Sequence, residues 1–460
     1  MPNSSTSTAS ALSAQDHALT QSALKFITCG SVDDGKSTLI GRLLVDTQAV
    51  LQDHLAGVQR LGQTDLALLT DGLSAEREQG ITIDVAYRYF STEQRKFIIG
   101  DAPGHEQYTR NMVTAASSAD AALVLVDATK LDWERANLEL LAQTRRHTLL
   151  ATLLRVPSVV FVINKLDAVD NPTLAFRHIG DALSTFAKKA NIQVRATVPI
   201  SALKGWNVVE SKHHWCGYTG ESLLSILEHL PTTPPDTAGP TWVCVQWVEK
   251  QHDSARTDQG RRVFWGRVAS GALKVGDEIE VHPSQHTARV AQILNATRQT
   301  QDEQLGQAGQ SVGVILDREV DVSRGDWLIA PSRAPKSNET NEANQGIGAP
   351  IQATQSIQAT VAWMDTEPLV KGRTYWALHG HQWVKAQVSE ILHAIDILTL
   401  EPQATESLKM NAIGRVELKF KEPIMAQNFQ DCRLAGSMIL VDTATHQTAG
   451  AVLIDCRPHA

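Results

Sequence analysis

Residues 30 to 37 read Gly30-Ser31-Val32-Asp33-Asp34-Gly35-Lys36-Ser37, a complete G-x-x-x-x-G-K-[ST] phosphate-binding loop. Its glycines let the backbone turn sharply and approach phosphate oxygens with no Cβ in the way. The loop amides and the start of the next helix direct partial positive charge at a polyphosphate. Lys36 supplies a full charge for the β and γ phosphates, and the Ser37 hydroxyl is a Mg²⁺ ligand. A predicted strand before the loop and a predicted helix after it provide the context that this motif requires.

A second element, the turn Asp101-Ala102-Pro103-Gly104, follows the predicted strand Lys96–Ile99. Asp101 at the strand end could hold Mg²⁺ through a water, and Gly104 could offer its amide to the γ phosphate. This D-x-x-G pattern is weak on its own, because Asp and Gly are ordinary turn formers. Its position after the second strong strand is what indicates a γ-phosphate sensor.

His105 and Thr82 join Lys36 as candidate catalytic residues. His105 directly follows Gly104, where it is well placed to orient the attacking water. Thr82 lies in a polar segment, residues 77–83, that runs into a strand. Its hydroxyl could complete the Mg²⁺ shell, so that loss of the γ phosphate would release the segment. A threonine in a β run is more often structural, so composition alone does not assign it this role.

The base-reading element is Asn164-Lys165-Leu166-Asp167, which closes the predicted strand Ser158–Ile163. Asp167 can accept hydrogen bonds from both N1–H and the exocyclic amine of guanine, whereas adenine lacks this donor pair. A carboxylate facing adenine would stay unpaired, and sites built this way discriminate by about 10⁴ or more. Lys165 would pack its stem over the base, and Ser201-Ala202 would supply a backbone amide to the guanine oxygen. The sequence therefore predicts GTP with Mg²⁺ rather than ATP.

Short apolar runs alternate with longer helical stretches from residue 24 to about 230. This alternation predicts an α/β P-loop GTPase domain with a mostly parallel sheet and helices on both faces. After the prolines at 231–235, short β-rich segments and glycine turns are typical of two small antiparallel β-barrel domains. The predicted division is a disordered tail over 1–22, the GTP-binding domain over 23–232, barrels over 240–332 and 356–458, and a linker over 333–355.

Composition narrows the function classes. The net charge of −8 argues against a broad nucleic-acid-binding surface, and no stretch approaches the roughly 18 uninterrupted apolar residues of a membrane span. The five cysteines lie far apart with no C-x-x-C pair, which suits a reducing cytosol rather than a disulfide framework or zinc site. The first 22 residues contain no Lys or Arg and no continuous apolar core, so they do not read as a secretory signal. A cytoplasmic protein is expected.

Four elements together resemble the translation-factor class of GTPases, in which a G domain precedes two β-barrels. They are the phosphate loop, the Asp101 turn, the Asn164 stretch and the Ser201-Ala202 pair. Three further stretches resemble one branch of that class, the large GTP-hydrolysing subunit of bacterial sulfate adenylyltransferase. These stretches are residues 76–90, Gly104-His105-Glu106-Gln107-Tyr108-Thr109-Arg110-Asn111-Met112 and Gln143-Thr144-Arg145-Arg146-His147. The resemblance implies a heterodimer or larger heteromer, in which a smaller catalytic partner makes adenosine 5′-phosphosulfate and diphosphate from ATP and sulfate. GTP hydrolysis by this chain would drive that step.

The chain departs from this family in three places. Ala102 stands where relatives usually have threonine, and residues 131–141 and 211–218 look like insertions. Because of these departures, the sequence does not predict where the partner interface lies, but the prediction of GTP binding is unaffected.

The rest of the sequence fits a division of labour between two subunits. It contains no second phosphate loop and no H-x-G-H signature, and we interpret His379-Gly380-His381 as a turn in a barrel. One alternative is a translation elongation factor that delivers aminoacyl-tRNA, which the acidic charge balance disfavours. Another is a scaffold that binds GTP without hydrolysing it, which His105 disfavours.

Overall fold

The computed structural model describes residues 23–49, 59–60, 63–64, 66, 84–105, 108–135, 138–237, 239–250, 262–299, 305–330 and 353–455. The chain forms two compact units, Met1–Thr233 with Ile397–Glu401, and Pro234–Asp396 with Pro402–Ala460. Thr82, the predicted tail and most of the predicted linker lie outside the described residues.

The first unit is built on a six-stranded sheet in the order β4-β5-β1-β6-β7-β8. Every neighbouring pair is parallel except β4 with β5. The pair β2–β3 is separate from this sheet. The strands of the unit are β1 (Leu24–Cys29), β2 (Gln59–Arg60), β3 (Gln63–Thr64), β4 (Ala86–Ser91), β5 (Lys96–Asp101), β6 (Ala121–Asp127), β7 (Ser158–Asn164) and β8 (Val194–Pro199).

Helices connect these strands as the alternating pattern predicted. They are α1 (Lys36–Asp46), α2 (Thr109–Ala116), α3 (Ala142–Leu153), α4 (Pro172–Lys189) and α5 (Leu223–His229). Asn171 caps α4 by accepting the Leu174 amide, and Ser222 caps α5 by accepting the Ser225 amide. Strands β6 and β7 are buried at every residue, so both faces of the sheet are covered. In the part of the chain that the structure describes, none of the helices has the length and apolar character needed to cross a bilayer.

The second unit contains the two predicted antiparallel barrels. The first closes in the order β10-β15-β13-β12-β16-β9. The second runs β19-β24-β25-β17-β23-β20 and closes through pairing of β19 with β20, with β21 added beside β20. Small pairs β11–β14 and β18–β22 accompany them. The strands are β9 (Thr241–Lys250), β10 (Arg262–Ser270), β11 (Ala272–Lys274), β12 (Glu278–His282), β13 (His286–Leu294), β14 (Leu305–Gln307), β15 (Ser311–Leu316), β16 (Trp327–Ala330), β17 (Ala353–Trp363), β18 (Leu369–Val370), β19 (Thr374–His379), β20 (Gln382–Ile395), β21 (Pro402–Gln403), β22 (Ser407–Leu408), β23 (Ile413–Met425), β24 (Ser437–Asp442) and β25 (Thr448–Asp455).

A buried aromatic cluster joins the two barrels. Trp242 and Trp327 meet edge to face with ring centroids 5.3 Å apart, and they pack with Met425 and Cys432 of the second barrel. The His379 ring lies 5.7 Å from that of Trp327. The predicted turn at His379-Gly380-His381 is confirmed as the hairpin between β19 and β20.

Candidate nucleotide-binding site

The predicted site elements follow the carboxyl ends of neighbouring parallel strands. Strand β5, predicted to end at Ile99, runs to Asp101, and β7, predicted to end at Ile163, runs to Asn164. The phosphate loop follows β1, which lies between β5 and β6 in the sheet. Ligands of open α/β sheets bind outside these strand ends. The topology therefore brings the phosphate loop, the Asp101 turn and the Asn164 stretch to one edge.

The phosphate loop has the backbone conformation that its glycines permit. A Cβ on Gly30 would lie 2.6 Å from the Leu125 carbonyl oxygen, and one on Gly35 would lie 2.4 Å from the Asn164 amide nitrogen. Gly35 has φ 88° and Asp33 has φ 60°, both in the left-handed region. The loop passes directly into α1 at Lys36. Glycine is thus required at both positions by close contact, and at Gly35 also by backbone conformation.

Lys36 lies beside the Asp101 turn. Its Nζ donates to the Ser31 carbonyl at 2.7 Å, and it would lie 2.6 Å from a Cβ on Gly104. Asp101 accepts a hydrogen bond from the Thr28 hydroxyl at 3.0 Å. Burial lowers the pKa of the Lys36 ammonium, whereas the nearby Asp101 carboxylate acts to raise it. The structure therefore brings together the predicted phosphate-binding lysine and the predicted γ-phosphate sensor.

Further predicted site residues are sequence neighbours of Lys36 or belong to, or follow, the Asp101 turn. Ala102 is buried, and its amide donates to the Thr28 carbonyl at 3.3 Å. Ser37 stands in the first turn of α1, directly after Lys36. His105 follows the turn, and its ring lies 6.2 Å from the ring of Tyr108. Thr82 is outside the described residues, so its predicted metal-binding role remains a prediction.

Asn164 joins the phosphate loop to the Ser201-Ala202 stretch. Its Nδ2 donates to the Asp34 carbonyl at 2.9 Å, and its Oδ1 accepts the Ala202 amide at 3.0 Å. Lys165 donates to the Asp33 carbonyl at 2.6 Å. The Ser201-Ala202 stretch was predicted to supply a backbone amide to the guanine oxygen. In the structure the Ala202 amide is engaged by Asn164 and the Ser201 amide by the Trp206 carbonyl, so bound guanine would have to share or replace one of these hydrogen bonds.

The predicted base-reading carboxylate has a cation as its partner. Asp167 Oδ2 lies 3.4 Å from Lys204 Nζ, and the Asp167 side chain is 12% exposed. Ser201 is buried, and its hydroxyl accepts the Lys204 amide at 3.2 Å. Leu166 is also buried, which fixes the short turn that carries Asp167. The Asp167 carboxylate is therefore mostly buried and paired with a cation after the end of β7.

Two side chains of α3 contact the site and received no role from the sequence. His147 is fully buried, and its Nδ1 accepts the Gly30 amide at 3.1 Å. Burial lowers the pKa of His147 to about 3, so the ring is neutral at physiological pH. Gln143 donates to the Gly104 carbonyl at 3.2 Å. The four-residue spacing of these polar residues indicates a shared helix face and could have revealed the pair.

Two charged side chains near the phosphate loop, Asp127 and Lys130, also received no role from the sequence. Asp127 ends β6 at the same edge, and its Oδ2 lies 2.8 Å from Lys165 Nζ. Lys130 Nζ lies 3.1 Å from the buried Asp34 carboxylate. An acidic residue at the end of a fully apolar strand was a usable signal for Asp127, whereas no pattern pointed to Lys130.

Comparisons with known proteins agree with this geometry. The profile of the elongation factor Tu GTP binding domain matches residues 21–234, and that of the GTP-eEF1A C-terminal domain-like family matches residues 356–455. The sulfate adenylyltransferase subunit 1 of Laribacter hongkongensis is 40% identical over 95% of this chain and 85% of its own length. That of Aeromonas hydrophila is 43% identical over 96% of this chain and 87% of its own length.

A third relative is longer than this chain. The bifunctional enzyme CysN/CysC of Xylella fastidiosa is 41% identical over 95% of this chain, which spans 66% of that relative's length. The subunit 1 relatives, in contrast, are covered over most of their length. The chain therefore belongs to the sulfate adenylyltransferase subunit 1 family.

Proposed function

We propose that this chain is the GTP-hydrolysing regulatory subunit of a cytoplasmic sulfate adenylyltransferase. A smaller catalytic partner would make adenosine 5′-phosphosulfate and diphosphate from ATP and sulfate, and hydrolysis of GTP by this chain would drive that reaction. The observation that carries the proposal is the convergence of Lys36, Asp101 and Gly104 beside the Asn164 stretch, in a chain of this family.

The phosphate loop would bind the β and γ phosphates of GTP. The loop turns through left-handed residues and passes directly into the N-terminus of α1, where backbone amides would bind phosphate oxygens. The buried Lys36 ammonium, now satisfied by the Ser31 carbonyl, would exchange that carbonyl for phosphate oxygens. Because Gly104 lies against Lys36, its amide is near enough to report whether a γ phosphate is present.

Asp167 would select guanine. Its carboxylate is paired with Lys204, whose ammonium side chain is 45% exposed, so a donor pair from the base would displace it at low cost. Adenine offers no such donor pair, so its binding would leave the carboxylate without a partner. Asn164 holds the base loop and the phosphate loop at a fixed separation, which suits one nucleotide spanning both.

The donor set fits Mg²⁺. The Ser37 hydroxyl and the Asp101 carboxylate are hard oxygen ligands of the kind this ion prefers, and they flank Lys36. Ser37, Asp101 and, as predicted from sequence, Thr82 would hold the ion, which when bound neutralises charge on the β and γ phosphates. Thr28 orients Asp101 through its hydroxyl.

His105 would position the attacking water. It directly follows Gly104, the residue assigned to the γ phosphate. Attack of the water oxygen on the γ phosphorus breaks the bond to the bridging oxygen, and GDP and phosphate leave with the water protons shared between phosphate and solvent. His105→Ala should therefore slow GTP hydrolysis with little loss of GTP binding.

The elongation-factor alternative retains support only at the level of the fold. Two relatives that match over at least 95% of this chain are named sulfate adenylyltransferase subunit 1. The relatives' name, subunit 1, implies a companion chain, which would be the adenylyl-transferring subunit.

Reconstitution with the small subunit tests the proposal. Diphosphate release from ATP and sulfate should depend on GTP and should fall when a non-hydrolysable GTP analogue replaces it. His105→Ala should lower GTP-driven release in the same mixture, whereas the exposed Lys189→Met on α4 should leave it unchanged. Equal release with and without GTP would contradict the coupling. Retention of charged tRNA by the GTP-bound chain would favour the elongation-factor alternative instead.

A further inference from the structure

The phosphate loop contains two acidic residues, Asp33 and Asp34, next to the proposed position of a polyanion. Such carboxylates oppose phosphate binding unless they are turned away or neutralised, because buried like charges are poorly screened. Asp33 contributes its carbonyl to Lys165. Asp34 is completely buried, so its charge must be met by the protein itself.

Asp34 holds the loop closed through its own side chain. Its Oδ2 accepts the Ser31 amide at 2.6 Å, three residues earlier in the loop. Asp33 lies within the turn that this bond closes, and its φ of 60° is in the left-handed region. The Asp34 carbonyl accepts from Asn164 at 2.9 Å. Asp34 therefore fixes both the shape of the loop and its distance from the base-reading stretch.

Lys130 supplies the countercharge. Its Nζ lies 3.1 Å from Asp34 Oδ1 and also donates to the Val32 carbonyl. The lysine stands in the short turn Ala128–Lys130 after β6, and Asp127 holds that turn by accepting the Thr129 amide and hydroxyl. Burial raises the pKa of the Asp34 carboxyl, and Lys130 is the first of the groups that oppose this rise.

We propose that Lys130 is a positioning residue of the phosphate loop, which neutralises Asp34 so that this carboxylate can hold the loop in its binding shape without repelling the triphosphate. The inference rests on the proposed function, since it takes GTP to be the ligand of the loop. It assigns Lys130 no contact with nucleotide. Its effect should therefore exist only while residue 34 carries a charge.

A double-mutant cycle isolates this dependence. Asp34→Asn keeps an oxygen that accepts the Ser31 amide but removes the charge. Lys130→Met in the parent chain should raise the Kd for GTP by about 30-fold, because it leaves a buried carboxylate unpaired beside the ligand. Lys130→Met added to Asp34→Asn should change the Kd by less than about threefold relative to Asp34→Asn alone. The readout is calorimetric titration with Mg²⁺ and GTP.

Two further measurements distinguish a positioning role of Lys130 from a general folding defect of the variant. The loss from Lys130→Met should be smaller for GMP than for GTP, since repulsion grows with the phosphate charge, whereas a damaged fold would weaken both equally. Lys189→Met, an exposed lysine of α4, is the matched control for removing one positive charge. If Lys130→Met does not fold, Lys130→Gln enters the same cycle, because it is uncharged but can still donate to Val32.

Equal losses from Lys130→Met in the two backgrounds would overturn the inference, because Lys130 would then act on the phosphates directly. Losses of affinity below about threefold in both backgrounds would also overturn it, because the ion pair between Lys130 and Asp34 would then contribute nothing to GTP binding. Neither outcome touches the proposed function. Failure of the unmodified chain to bind GTP would contradict the proposed function itself.

Discussion

The phosphate loop of the first unit and the junction between the barrels both contain buried side chains, but the buried side chains are of opposite kinds. Around the phosphate loop the buried side chains include Asp34, Lys36 and His147, each with a hydrogen-bonding partner. At the barrel junction they are Trp242 and Trp327, packed edge to face. Hydrogen bonds and ion pairs hold the backbone of the phosphate loop, whereas close packing of apolar rings holds the barrel junction together. Substitutions should therefore alter ligand binding in the first region and stability in the second.

The largest effect should come from Asp167→Asn in the nucleotide site. The variant loses the acceptor for guanine N1–H, so its preference for GTP over xanthosine triphosphate should fall by about 10⁴-fold, and its stability should change little. Competition titration with the two nucleotides measures this shift. Asp170→Asn, an exposed acid three residues later, is the control. Unchanged GTP affinity would mean that Asp167 does not read the base.

Trp327→Ala tests the role of the barrel junction in stability. Trp327 is 1% exposed, and truncating a buried tryptophan costs about 3–5 kcal/mol of unfolding free energy. Chemical denaturation should show this loss, while the affinity for GTP stays within error. Trp247→Ala, whose side chain is 62% exposed in the same barrel, should cost less than about 0.5 kcal/mol. A loss of GTP affinity in Trp327→Ala with stability intact would reverse the distinction between the two regions.

The same comparison shows what the sequence could and could not predict. Gly30, Lys36 and Asp101 were predictable because phosphate and metal chemistry fixes residue type and spacing along the chain. The contacts that His147 and Lys130 make with the loop were not predictable, because each contact spans about 100 residues of sequence and consists of a hydrogen bond or an ion pair. The barrels were predictable as a class from strand and turn patterns, but nothing in those patterns marked Trp327 as a contact between them.

His147→Leu should have a moderate effect on binding. The change leaves the buried Gly30 amide without its acceptor, which costs about 1–3 kcal/mol and loosens the start of the phosphate loop. GDP release, followed with a fluorescent analogue, should accelerate by about tenfold. His147→Asn can place an oxygen near the position of Nδ1 and should recover most of the loss. Equal release from both variants would indicate that only the volume of His147 matters.

The smallest effect should come from Asp442, a buried carboxylate in the second barrel that should affect stability alone. Hydrogen bonds from the Thr445 and Ala444 amides and from Arg373 lower its pKa to about 2. Because the folded pKa lies below the unfolded value of about 3.9, the stabilisation is complete above that pH and is lost as the pH falls through 2. Asp442→Asn should therefore destabilise the unit at pH 7.

The destabilisation by Asp442→Asn should shrink as denaturation midpoints are measured at pH values from 4 towards 2. Glu406→Gln, an exposed acid of the same barrel, should show no such trend. A pH-independent difference between the parent chain and Asp442→Asn would mean that the carboxylate is not preferentially charged in the folded state.

The most direct test of the account is calorimetric titration of the folded, unmodified chain with Mg²⁺ and either GTP or ATP. We predict saturable heat with GTP at a single site, none with ATP at the same concentrations, and loss of the GTP signal in Lys36→Met. Absence of heat with GTP, or equal binding of both nucleotides, would contradict the claim that the loop at Lys36 and the carboxylate of Asp167 form one guanine-nucleotide site.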